Sequence, residues 1–380
     1  MATSSAPRRY LDNAATSWPK PEQVLEAWNQ AARNVGAAAG RGGHRAAVEA
    51  DLIRSRARSA AARLLGAAAD RVALPGGATL ALNMAIHGTV RAGDHLICTA
   101  ADHNATLRPL HWLVRRGLVE LSVVPCDAAG RVDPDAVAAA WRVSTRLVVC
   151  SHASNVTGVS QDVLAIGSIV HERGGLLLLD AAQSLGLMPP ALEAADILVA
   201  PAHKWLQGMA GIAILWAREG LAIEPTIQGG TGSISESVEM PTSFADSLEA
   251  GTPDLPALAA LAAGLAWREA GGERRLAESG FLAVECAAQL RAISGVRVFG
   301  PSEPAAPIVS FSVEGYDPAE VAMLLEQIGG VQARSGFHCA ALIHEHLGSA
   351  AGGTVRVSFG PCNTADDVEA VVGAVAAIVG

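Results

Sequence analysis

Lys204 closes the segment Ala195-Asp-Ile-Leu-Val-Ala-Pro-Ala-His-Lys204, directly after a hydrophobic run bounded by small residues. A permanent ammonium is costly there, whereas Schiff-base formation removes the charge and gives the amine covalent work. A strand-end lysine reaching solvent is the bland alternative. Asp180 shifts the balance. It ends the run Gly175–Leu179 and precedes Ala181-Ala-Gln183. An amine and a strand-end carboxylate together serve pyridoxal phosphate, whose ring nitrogen is the better electron sink when a carboxylate keeps it protonated. Ligands also gather outside the carboxyl ends of parallel strands. Asp180 as a simple helix cap stays open on these residues alone.

Cys339, in Gln332-Ala-Arg-Ser-Gly-Phe-His-Cys-Ala340, is the candidate reactive thiol. Arg334 and His338 lie nearby in sequence and could stabilise a thiolate, although spacing alone does not bring them together and a buried inert cysteine fits the composition as well. Arg356, in Thr354-Val-Arg-Val-Ser358, suits a bidentate clamp on a carboxylate, with a surface ion pair as the alternative. Gly76-Gly-Ala78-Thr79 precedes a helical pattern and offers backbone donors to a phosphate, with the Thr79 hydroxyl beside them. His103 lies between a strand and a helix, and Asn155 lies in a turn after a strand. His344-Glu-His346 lacks a third and fourth ligand, so no metal is expected and the pair reads as helix surface or loop.

Alternating apolar runs and helical patterns from about 71 to 217 must position these groups. Strands are expected over 95–100, 119–125, 146–151, 176–179, 197–199 and 211–216, with helices over 105–116, 134–141 and 163–173. Continuous apolar strands between helices predict a mostly parallel sheet covered on both faces. Loops around 228–256 and an alanine-rich helix over 255–270 lead to a smaller α/β domain. Its expected elements are strands at 308–313 and 354–359 and helices at 318–327 and 364–379. The expected division is residues 1–20 as a segment joining the small domain or an interface, 21–255 as the large domain and 256–380 as the small one.

Taken together, Tyr10–Thr16 (YLDNAAT), Ser151–Asn155 (SHASN), Asp180–Gln183 (DAAQ), His203-Lys204, Glu249–Thr252 (EAGT) and Arg334–Cys339 (RSGFHC) give the chain a specific likeness. It resembles the class V aminotransferase family, in its cysteine desulfurase and selenocysteine lyase branch, from about Tyr10 to the C terminus. The resemblance implies the type I fold of pyridoxal-phosphate-dependent transferases, in a homodimer with active sites near the subunit interface. Lys204 would bind the cofactor and shuttle the alpha proton, Asp180 would pair with the ring nitrogen, and Gln183 would contact the phenolic oxygen. His103 would stack on the ring and Asn155 would position the cofactor or the substrate carboxylate. Ala78, Thr79, His203 and a neighbouring subunit's Thr252 would serve the phosphate. Arg356, with Asn155 and Asn13, would bind substrate, and Cys339 would take sulfur from L-cysteine as a persulfide, leaving alanine. A small thiol or a carrier protein would then accept that sulfur. Pro201 departs from the family pattern, which often has a hydroxyl residue there, and removes a backbone donor as well. Selenocysteine lyase, or a specialised carbon–sulfur lyase or aminotransferase, remains an alternative. A non-catalytic cofactor-binding partner protein is a further one.

Bulk composition agrees with a large enzyme. The 380 residues are 50% hydrophobic but only 4% aromatic, so alanine and glycine must fill much of the interior. The net charge of −9 carries no basic block, which argues against nucleic acid as the main partner. Met1–Arg9 lack the apolar run of a signal peptide, no long apolar stretch predicts a membrane span, and the six cysteines contain no C-x-x-C pair. A cytoplasmic protein with reduced thiols is expected.

Overall fold

The computed structural model describes residues 7–40 and 42–380. Most of Met1–Arg9, on which the signal-peptide expectation rests, lies outside them. The large domain is built on a seven-stranded sheet. Its spatial order is Val72–Ala73, Ala213–Ala217, Ile197–Pro201, Leu176–Asp180, Thr145–Ser151, His95–Thr99 and Glu120–Val124. The last five of these strands run parallel, while Ala213–Ala217 is antiparallel to both of its neighbours. Burial explains the continuous apolar runs. Every residue of the four strands 95–99, 176–180, 197–201 and 213–217 is buried, as expected for strands covered on both faces.

Small residues let a helix beside this sheet approach the neighbouring backbone closely. A Cβ on Gly167, in the Val163–Glu172 helix, would stand 2.7 Å from the Ala194 carbonyl oxygen. The low aromatic content thus corresponds to tight backbone packing, in which a methyl group has no room.

The smaller domain carries a four-stranded sheet in the order Arg334–Gly336, Thr354–Ser358, Ile308–Val313 and Val296–Phe299, antiparallel throughout. Two of these strands, 296–299 and 334–336, escaped the sequence reading because each is short and holds arginine. Helices Glu22–Asn34, Arg45–Leu65 and Glu273–Arg291 escaped it as well, their charged faces diluting the apolar signal. The alanine-rich helix ends at Trp267, not at 270, where a wider turn leads into Gly271 at φ 107°. The Ala365–Val379 helix starts on a reciprocal cap between Thr364 and Asp367. The N-terminal Arg9–Tyr10 strand pairs with Val331–Gln332, and Asp12 bridges to Ser358. Among the described residues, no helix is long and apolar enough to cross a membrane.

Candidate functional site

The groups singled out in the large domain converge at the carboxyl ends of its parallel strands. Asp180 is the last residue of its strand, His103 follows the strand ending at Thr99, Asn155 follows the one ending at Ser151, and Lys204 follows the one ending at Pro201. Together with Ala78, Thr79, Gln183 and His203 they line a cavity of about 200 Å³. Lys204 lies deep in the fold yet faces this cavity, so part of its surface stays accessible. Burial lowers its pKa to about 8, partly opposed by Asp180 and reinforced by Arg356 and Arg334. Burial raises Asp180, against the Ala182 amide (3.0 Å) and Lys204, which favour its ionised form.

His103 caps the Asn104–Arg115 helix, its Nδ1 accepting the Ala105 amide at 3.0 Å. Burial, then the cations Lys204, Arg334, Arg356 and Arg108, push it to about 4. The ring is therefore neutral near pH 7, which suits a face-on contact. Asp102 next to it is wholly buried and accepts the amides of Thr99 (2.8 Å) and Ser151 (2.6 Å). It thereby pins two neighbouring strand ends, a role its sequence position did not reveal. Desolvation raises it to about 7.

Gln183, Asn155 and Asn13 are each held by hydrogen bonds within the chain. Gln183 lines the cavity, but its amide donates to the Ala14 carbonyl and accepts from Trp205, both at 2.9 Å. Asn155 donates to the His338 carbonyl at 2.6 Å. Asn13 is buried in a network with Ser358 and Asn363 and does not line the cavity. Thr252 is exposed and likewise absent from this chain's cavity wall.

Arg356 is 1% exposed. It donates to Asp12 at 2.7 Å and to the Asn155 carbonyl at 3.0 Å, leaving Nε without a partner. Its antiparallel register partner is Arg334. Arg334 in turn donates to Cys339 Sγ at 3.4 Å. Cys339 is part-exposed and lines a larger open groove of about 960 Å³ that shares Thr79, His103 and Ala105 with the cavity. His338 does not face the thiol: its Nε2 meets Thr354 Oγ1 at 2.9 Å, and burial holds its pKa well below the usual range. His344 is also not a surface residue. It is fully buried, with Nδ1 on Ser349 Oγ (2.9 Å) and Nε2 on the Phe337 carbonyl (3.1 Å).

The cavity fits pyridoxal phosphate on its own chemistry. It has an amine with a lowered pKa, a buried carboxylate and a flat neutral ring. At one end the Ala78–Thr89 helix begins after Gly77, at φ 112°, and its first-turn amides lack intrahelical acceptors. His203 Nδ1, buried and unpartnered, adds an unused polar atom, while Pro201 adds none.

The sequence model of class-V aminotransferases matches residues 9–371. The chain belongs to the class-V aminotransferase family. It is a pyridoxal-phosphate-dependent enzyme of that family. A probable cysteine desulfurase of Methanothermobacter thermautotrophicus is 32% identical, covering 95% of this chain and 92% of that one. Probable cysteine desulfurase 2 of Mycobacterium leprae is 34% identical over 96% and 90%. The apo structure of a cysteine desulfurase from Thermococcus onnurineus superposes with a TM-score of 0.90 at 30% identity, covering 99% of this chain and 96% of that one. That likeness extends over both domains of this class-V aminotransferase.

Proposed function

We propose that this chain is a cysteine desulfurase that converts L-cysteine to L-alanine and holds the sulfur as a persulfide on Cys339. The observation that carries the reading is the placement of Cys339 Sγ, with Arg334 at 3.4 Å, on a groove that shares His103 and Thr79 with the Lys204–Asp180 cavity. Pyridoxal phosphate supplies a carbonyl for the substrate's amino group and an electron sink for its alpha carbon. Lys204 would hold the cofactor and then move the alpha proton. Asp180 would keep a proton on the ring nitrogen, and the neutral His103 would cover the ring. Ala78, Thr79 and His203, which line the cavity, would hold the phosphate, with Thr252 supplied by a second copy in a homodimer. Arg356 takes the substrate carboxylate. The Cys339 thiolate attacks the substrate sulfur; an S–S bond forms and the C–S bond breaks. The electron pair stays with the substrate's β carbon, which gains a proton to become the methyl group of alanine. A small thiol or a sulfur-carrier protein then removes the terminal sulfur.

Six unpaired cysteines favour a reducing compartment, hence the cytoplasm. The same reading assigns residues 21–255 to the cofactor domain and 256–380 to the small domain, with the N-terminal segment joining the latter.

Incubating the cofactor-loaded protein with L-cysteine tests the reading. Alanine and protein-bound sulfur are expected to appear in equal first-turnover amounts. Pyruvate in place of alanine would make the protein a carbon–sulfur lyase, and turnover confined to selenocysteine would make it a selenocysteine lyase. Arg356→Lys replaces a planar fork with a point charge, so KM for cysteine is expected to rise about tenfold or more. An unchanged KM in steady-state assays would move the carboxylate elsewhere.

A further inference from the structure

One backbone oxygen in the site is held far more heavily than its neighbours. The His203 carbonyl accepts from Lys20 Nζ at 2.7 Å, Ser17 N at 3.0 Å, Ser17 Oγ at 3.1 Å and Thr16 Oγ1 at 3.2 Å. A carbonyl has two lone pairs, so four donors around it form a cradle. Lys20 Nζ also reaches Ser17 Oγ at 2.7 Å and, among the described residues, forms no ion pair with a carboxylate. Burial lowers its pKa to about 7, the mark of a cation drawn out of water without an anion to offset the loss. Its stem leaves the chain between Pro19 and Pro21, whose rings restrict the backbone that aims it.

We propose that Lys20, with Thr16 and Ser17, is a positioning residue for Lys204 through the His203 carbonyl. The peptide group is planar, so fixing the oxygen of residue 203 fixes the amide nitrogen and Cα of residue 204 in the same plane. The flanks are pinned too: the Ala202 amide donates to Ile212 at 3.0 Å, and the Lys204 carbonyl accepts from Gln207 at 3.0 Å. The long lysine stem thus springs from a rigid base, and its amine needs to search little space to reach the reacting carbon. The N-terminal segment, anchored on the small domain by the Asp12–Ser358 bridge, in this way sets the aim of the large domain's amine. This inference rests on the assignment of Lys204 as the reacting amine.

The test uses the holoenzyme with Lys20→Met, Lys20→Arg and Lys204→Ala. Lys20→Met is expected to lower kcat for alanine formation by about tenfold to a hundredfold, with KM for cysteine within about twofold. Covalent capture of added cofactor by the apoprotein, followed by absorbance, is expected to slow in parallel. Lys20→Arg, which restores a donor, should recover at least half of the lost rate. An unchanged kcat in Lys20→Met overturns the inference, as does a matching change in KM that arginine does not rescue. Should Lys20→Met fail to fold, Thr16→Val removes one hydroxyl from the same carbonyl and is judged by the same split between kcat and KM. Alanine formation that survives Lys204→Ala would sink the underlying assignment. A dead Lys204→Ala beside a normal Lys20→Met sinks only the positioning role.

Discussion

Lys204→Ala is expected to lower alanine formation by about a thousandfold or more and to abolish covalent attachment of the cofactor. Both losses follow from one amine. Attack on a carbonyl needs the unprotonated form, and at an ordinary lysine pKa only about one amine in three thousand is free at pH 7. With the pKa lowered to about 8 by burial, the free fraction rises to about one in ten. The sign also predicts a pH effect on the apoprotein. Between pH 8 and 10.5 the unfolded chain keeps a proton on this lysine that the folded chain has shed. The folded state therefore gains stability from Lys204 as pH rises through that window. Lys204→Ala should lose that contribution, which unfolding midpoints of the apoprotein across the window would show. A variant that keeps cofactor absorbance and turnover would place the reacting amine elsewhere.

Much of this site was legible because its parts sit where short-range pattern and chemistry agree. An uninterrupted apolar run marks a buried parallel strand, and a polar residue at its end marks the edge where ligands collect, so Asp180 and Lys204 stood out. Side-chain commitments were not legible. Asn155 reads as a turn residue; its side chain lines the cavity while its amide also donates to the His338 carbonyl, across 183 positions of sequence. His344 reads as half of an exposed His-x-His pair. The fold instead buries it under the cysteine turn, where both ring nitrogens have partners. Asp102 accepts amides from two strands that meet through register. Such pairings depend on which strand ends become neighbours, and no local spacing encodes that. The dense donor set on the His203 carbonyl was hidden for the same reason.

Cys339→Ser is expected to remove protein-bound sulfur and to lower alanine formation by about a hundredfold or more, while cofactor absorbance stays that of the parent. The fold separates this thiol from the other five. Cys98, Cys126, Cys150 and Cys286 are buried, and burial pushes each thiol up, Cys126 to about 11. Cys362 is exposed but is also raised by desolvation. Cys339 alone lines the groove beside the cavity, with a guanidinium donating to its sulfur. Its backbone is held in an unusual form: His338 and Cys339 have φ of 49° and 58°, the left-handed region that costs non-glycine residues about 1–3 kcal/mol each. Three consecutive carbonyls offset that strain, those of Phe337, His338 and Cys339, which accept from His344, Asn155 and the Asn104 amide respectively. Serine fits the same turn, so its effect isolates the sulfur chemistry from the shape of the segment. Cys362→Ser, tested alongside, should leave bound sulfur intact. Mass spectrometry of the first turnover decides the matter. A persulfide on any other cysteine would move the acceptor, and loss of the cofactor's absorbance in Cys339→Ser would overturn the separation between the residues that hold the cofactor and the thiol that takes the sulfur.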